Sequence, residues 1–216
     1  MPDQLVFNWP ADEGLKAEDF FVSDANAQAV TLLRAPETWP ELKLVLVGPE
    51  GSGKSHLARI FQDERHAKIF TSADIPRNYS APYPVVIEDA DSIPESEEEA
   101  LFHLHNNLRA AGLPLLLTAR LTPSRWALAL PDLKSRMVAT TVAQIEDPDD
   151  ELLHILLAKL FADRQVMPPP SVINYVATRM DRSYVAAREI VEQLDRVALA
   201  DKKQINIKMA AALLDI

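Results

Sequence analysis

Apolar residues follow two rhythms along this chain. In the first two thirds they come as short runs: LKLVLV at 42–47, AKIF at 67–70, PVVI at 84–87, LPLLLT at 113–118, and a last run near 139–145. Their length and β-branched content predict buried strands. Between them lie stretches with helical spacing. HLARIFQDERH at 56–66 places Leu57, Ile60 and Phe61 on one face. PESEEEALFHLHNNLRAAG reads as a second helix. Ser96 with Glu99 predicts a capping box, Glu97–Glu99 would sit at the positive end of the helix dipole, and Gly112 suits the C-terminal cap. Strands alternating with helices predict a parallel α/β sheet. From about Asp147 the strand rhythm stops and helical patterns follow at 149–165, 171–179 and 183–200, with a short one at 206–214. MPPP at 167–170 and the Asp181–Arg182 pair separate them. The expected organisation is an α/β domain over 11–146 and a small all-α domain over 147–216.

Residues 1–10 stand apart, because Leu5, Val6, Phe7 and Trp9 crowd apolar side chains into a terminus, where chains are usually polar. The remaining composition excludes several classes. Of 216 residues 48% are hydrophobic, enough for a sizeable core, and no apolar run approaches the roughly 20 residues that span a bilayer. The start carries no basic and apolar leader, and there is no cysteine for disulfides or a thiolate zinc site, so a reducing cytoplasm is expected. A net charge of −10, spread over both halves, argues against a free-standing nucleic-acid binder and against direct sequence-specific DNA binding.

The strongest chemical signal lies in the glycines. Only five occur, and Gly48, Gly51 and Gly53 fall within six residues, in GPEGSGKS. This is the complete phosphate-loop pattern, and it stands between a predicted strand and a predicted helix. Such a loop turns successive backbone N–H groups onto phosphate oxygens, while Lys54 reaches the β- and γ-phosphates and Ser55 can ligate Mg²⁺. VVIEDAD then sets Glu88 and Asp89 at the end of another predicted strand, where a nucleotide site of this class needs acids. Glu88 is the expected metal-side acid and Asp89 the water-orienting one. His103 and His105 lie two apart on a predicted helix and face different ways, so no metal pair is expected; Trp39 and Trp126 read as packing residues.

Together with EDFFVSDAN at 18–26, LTARLTP, DLKSR and REIVEQLDRV at 188–197, these motifs resemble the DnaA/Hda family of AAA+ proteins, the replication initiators and their regulators. The resemblance covers nearly the whole chain and is closest on the regulatory, Hda-like side. It implies an AAA+ P-loop fold with a helical lid and an adenine nucleotide, ADP or ATP, with Mg²⁺. The nucleotide would be held by Gly48, Pro49, Glu50, Gly51, Ser52, Gly53, Lys54, Ser55 and His56. Phe21 and Val22 would wrap the base. Arg136 would be an arginine finger acting on a neighbouring molecule's nucleotide, and Arg188 would be the sensor-2 residue, or Val185 in an alternative register anchored on QLDR. Gln4, Leu5 and Phe7, within residues 4–9, would dock on the DNA polymerase sliding clamp. DnaA would be the second partner, with self-association open. The chain departs from the family at Glu88, where Asp is usual, and at Arg120, which replaces a polar residue beside the attacking water and implies weak intrinsic ATPase activity. It also stops where an initiator would continue into a DNA-binding domain. An autonomous DnaA-like ATPase, a helicase loader or remodeller, is the alternative.

Overall fold

The computed structural model describes residues 20–80 and 82–214. Gln4, Leu5, Phe7 and the rest of the expected clamp peptide lie outside them. Five strands form one parallel sheet: β1 (Lys43–Val47), β2 (Lys68–Thr71), β3 (Val85–Glu88), β4 (Leu115–Ala119) and β5 (Thr141–Gln144), in spatial order β2-β3-β4-β1-β5. Helices α1 (Ala27–Arg34), α2 (Lys54–Arg65), α3 (Glu95–Ala110) and α4 (Pro131–Ala139) flank it. Then follow α5 (Asp150–Asp163), α6 (Pro170–Ala177), α7 (Tyr184–Asp201) and α8 (Ile207–Leu214). No described helix is long and apolar enough to cross a membrane.

β1 and β4 are buried at every position, which is why their sequences read as continuous apolar runs instead of alternating ones. The sheet divides the core into two layers. Val45, Val47 and Leu117 face α3 and α4, while Leu44, Leu46 and Leu116 face α1 and α2, where Trp39 stacks on Phe61 with ring centroids 5.5 Å apart. Trp39 and Trp126 are both buried, and each indole N–H finds a backbone carbonyl, on Leu32 and Leu121 respectively. The last four helices enclose a separate core around Leu157, Phe161, Val176, Val191 and Leu194.

Local signals explain several helix ends. The Asp149 side chain accepts the Leu152 N–H at the start of α5, and Ser183 does the same for Ala186 at the start of α7. At the end of α3, Gly112 takes φ +64°, and the Gly112 and Leu113 N–H groups bond to the Arg109 and Leu108 carbonyls. That is the double hydrogen bond of a glycine-terminated helix. The start of α3 corrects the expected capping box. Pro94 occupies the cap and Ser96 lies inside the first turn, so its side chain cannot cap the helix and no side-chain cap bond forms. The first-turn carboxylates Glu95, Glu97 and Glu98 supply the dipole term instead.

Candidate functional site

The parallel register carries three loops to one edge of the sheet. Val47 is level with Ala119 on β4 and with Gln144 on β5, and the C-terminal ends of β1, β3 and β4 release the phosphate loop, Asp89 and Arg120 on the same side. Crevices outside the carboxyl ends of parallel strands are where such sheets bind ligands. Here the crevice is a cleft of about 500 Å³ between the sheet edge, the segment before α1, and helices α5 and α7.

Backbone constraints shape the phosphate loop. Gly51 and Gly53 have φ of +78° and +90°, and a Cβ on Gly53 would come within 2.9 Å of the Phe20 ring. At Gly51 an added Cβ would lie 3.1 Å from the Tyr184 Cβ, so α7 is close against the loop. Gly48 is hemmed in by Ser52 Oγ and Ile145 and donates its N–H to the Ala119 carbonyl at 3.2 Å, which ties the loop to β4. Lys54 and Ser55 open α2, so the helix N-terminus points into the cleft with its positive field. The Lys54 ammonium donates to the Gly48 and Pro49 carbonyls, each at 2.8 Å. Burial lowers its pKa from the ordinary lysine value; Asp89 opposes that shift and Arg120 adds to it.

The cleft brings together most of the expected residues. Glu50, Gly51, Ser52, Gly53, Lys54, Ser55, His56, Asp89, Phe21 and Arg188 line it. Glu88 does not: it ends β3 half-buried, and only Asp89, in a left-handed conformation with φ +52°, reaches the cleft. Val22 is turned the other way, into a small depression beside Leu33 and Leu57. Of the two sensor-2 registers the cleft contains Arg188; Val185 is outside it and 39% exposed. Arg136 is also outside. It rides on α4 with its guanidinium over the Phe102 ring, 5.0 Å from the centroid. His103 and His105 lie on opposite faces of α3, one exposed and one buried.

Several cleft residues escape sequence reading. Phe20 meets His56 edge-to-face at 5.4 Å. Buried Asn26 donates to the Phe21 carbonyl at 3.0 Å and accepts the Ser23 N–H at 3.1 Å, pinning the segment that carries both phenylalanines. Leu152, Ile155 and Leu156 of α5 add apolar lining to the cleft, and Lys159 and Asp163 of the same helix add charge. The Tyr184 hydroxyl donates to the Glu146 carbonyl at 3.2 Å, and burial, with Asp147 and Asp149 nearby, pushes its pKa up to about 12. Asp91 accepts the N–H groups of Arg120 and Leu121 at 2.9 and 3.0 Å, fixing the loop after β4. The third acid of EDAD was the one sequence signal for it.

No group of three His, Cys, Asp or Glu side chains among the described residues could hold a metal ion. Ser55 and Asp89 in the cleft suit a cation that brings its own phosphate oxygens and water, the habit of Mg²⁺.

No family model matches the chain. An uncharacterized protein of Haemophilus influenzae is 27% identical over 184 residues, which cover 78% of this chain and 80% of that one. The chromosomal replication initiator protein DnaA of Rippkaea orientalis is 30% identical over 150 residues, 66% of this chain; they amount to 30% of that protein's length. Among solved structures, domain III of Thermotoga maritima DnaA superposes with a TM-score of 0.74 at 19% identity, covering 96% of this chain and 98% of the domain. Aquifex aeolicus DnaA bound to AMPPCP gives 0.66 at 17% identity over 89% of this chain and 66% of that one. The Thermotoga maritima RuvB branch migration motor gives 0.62 at 17% identity, covering 87% and 66%. The parallel sheet, the phosphate loop at its edge and the helical C-terminal part thus give this chain the AAA+ P-loop fold, in the arrangement seen in domain III of DnaA.

Proposed function

We propose that this protein is an Hda-like negative regulator of replication initiation in the cytoplasm. It binds an adenine nucleotide, ADP in its working state, docks on the sliding clamp through residues 4–9, and presents Arg136 to ATP-bound DnaA, where hydrolysis then occurs. The observation that carries this reading is the separation of the two arginines. Arg188 lines the chain's own cleft, whereas Arg136 is held on α4 outside it, over the Phe102 ring, which suits a role toward another molecule's nucleotide. An arginine supplied in trans raises phosphoryl-transfer rates by about 10³–10⁵, so a poor ATPase can still switch off a partner. The cleft supports the nucleotide assignment: its lining joins cationic Lys54 and Arg188 with apolar Phe20, Phe21 and Leu156, side chains that suit a phosphate chain and a base. Mg²⁺ would arrive with the nucleotide and be met by Ser55, with Asp89 better placed than Glu88 to reach its shell.

The test is hydrolysis of DnaA-bound ATP with this protein, with and without DNA-loaded clamp. Wild type should accelerate it only with clamp, and Arg136→Ala should abolish the acceleration while keeping nucleotide affinity; full activity of Arg136→Ala would sink the reading. A second reading, an autonomous ATPase, is favoured by one observation, the exposed Asp89 carboxylate lining the cleft beside Lys54. Clamp-independent turnover lost in Lys54→Ala would establish it.

A further inference from the structure

We infer that Glu50 and Arg120 form an exchangeable ion pair that makes the cleft favour a nucleoside diphosphate over a triphosphate. The inference rests on the reading of the cleft as an adenine-nucleotide site and adds to it the basis of its nucleotide preference.

Glu50 is the third residue of the phosphate loop, and Arg120 follows the last residue of β4. The bases of these two loops are joined by the Gly48 N–H to Ala119 carbonyl bond, and Arg120 Nη1 lies 2.9 Å from Glu50 Oε2 across the cleft mouth. The backbone at Arg120 is fixed, because Asp91 holds its N–H and that of Leu121. Only the side chain is left to move. Both partners line the cleft together with Lys54 and Asp89. The Lys54 ammonium feels both charges, Arg120 lowering its pKa and Glu50 raising it, which places the pair beside the phosphate-binding lysine.

The side chains are 58% and 56% exposed, so water screens their attraction and the pair can be traded for another anion at small cost. A diphosphate leaves it intact. A third phosphate puts more negative charge beside the Glu50 carboxylate, and Arg120 can answer only by leaving Glu50, which then stands unpaired next to the new charge. The gain at Arg120 is thereby offset. A guanidinium freed from Glu50 would suit phosphate oxygens well, since its planar fork matches their geometry.

Titration of the full chain with ADP and with AMPPCP, each with Mg²⁺, tests this on wild type, Glu50→Gln, Arg120→Gln and the double variant. Glu50→Gln should move the affinity ratio toward the triphosphate by about two- to fivefold, and Arg120→Gln should move it the other way by a similar factor. In the Arg120→Gln background Glu50→Gln should keep only the part of its effect that comes from relieved repulsion, so the single effects should not add, and all shifts should shrink in high salt. An unchanged ratio in Glu50→Gln, or a shift toward ADP, would overturn the inference. Failure of wild type to bind either nucleotide would instead overturn the reading of the cleft.

Discussion

The cleft at the sheet edge and the corner between α3 and α4 handle charge in opposite ways. In the cleft, Glu50, Arg120 and Arg188 stand in water, and the one ion pair among them is more than half exposed. At the corner, Glu98 is only 3% exposed, yet has no cation among its hydrogen-bond partners in the described residues. Its two oxygens accept the N–H groups of Ala129 and Leu130, at 2.9 and 2.6 Å, just ahead of α4. One turn further along α3, Phe102 lies under the Arg136 guanidinium, and beyond it His105 is 1% exposed. Burying a charge is tolerable when backbone donors satisfy it, and that arrangement fixes position. A screened pair costs little to break, and that arrangement leaves the charge exchangeable. A screened pair suits a cleft that takes and releases a ligand, whereas a backbone-held charge suits a corner that keeps one side chain in place.

The largest expected effect tests the corner. Glu98→Ala removes the acceptor of both N–H groups and should lower unfolding stability by about 2–4 kcal/mol, measured by denaturant titration. Glu98→Gln, which keeps one acceptor oxygen, should recover part of it. Next comes acid sensitivity. Burial, with Lys43, Arg136 and Arg109 facing it and only Glu41 opposing, lowers the His105 pKa from 6.5 to about 4, and its Nδ1 has no hydrogen-bond partner among the described residues. Because the folded value is the lower one, the unfolded chain takes up the proton first as pH falls. The histidine is therefore neutral in its effect above about 6.5 and should cost stability progressively between 6.5 and 4, on the order of 2–3 kcal/mol in all. His105→Leu should flatten thermal stability across that window relative to wild type; an identical acid profile would mean that the corner is not the acid-labile site.

The cleft should respond in ligand affinity instead of stability. Lys54→Ala should weaken ADP binding about 10- to 100-fold through loss of a charge-assisted contact, measured by titration calorimetry. Smallest is the register test. Arg188→Ala should weaken nucleotide binding several-fold, as loss of a water-exposed charge contact would, and Val185→Ala should leave it unchanged. The reverse result would move the sensor role one turn back along α7.

Much of the fold was legible because it depends on local rules. The runs at 42–47, 84–87 and 113–118 became β1, β3 and β4 with shifts of at most two residues at their ends, since strands buried on both faces are mostly apolar; buried Lys43 and Thr118 are hydrogen-bonded, to the Leu113 carbonyl and the Asp89 N–H. Helices α5 and α7 start where Asp149 and Ser183 announce them. Other elements were hidden. α1 has only eight residues and follows a polar stretch, and α4 begins with a proline after a leucine that cannot cap it, the backbone just ahead being held by Glu98, thirty-odd positions earlier in the chain. The Ser96–Glu99 pattern has the spacing of a capping box, but Pro94 sets the helix start two residues before the serine.

The site divides along the same line. The sequence by itself determined the phosphate loop, because the need for glycine at φ +78° and +90° and for lysine at the helix start leaves a fixed spacing to read. It also placed an acid pair at the end of β3. Only the tertiary structure decided which of the two faces the cleft, that Phe20 lines it and Val22 does not, that Arg188 points in, and that Arg136 points elsewhere. Those outcomes depend on strand order and helix rotation, which are set by contacts between residues far apart in the chain and leave no trace in the spacing of neighbours.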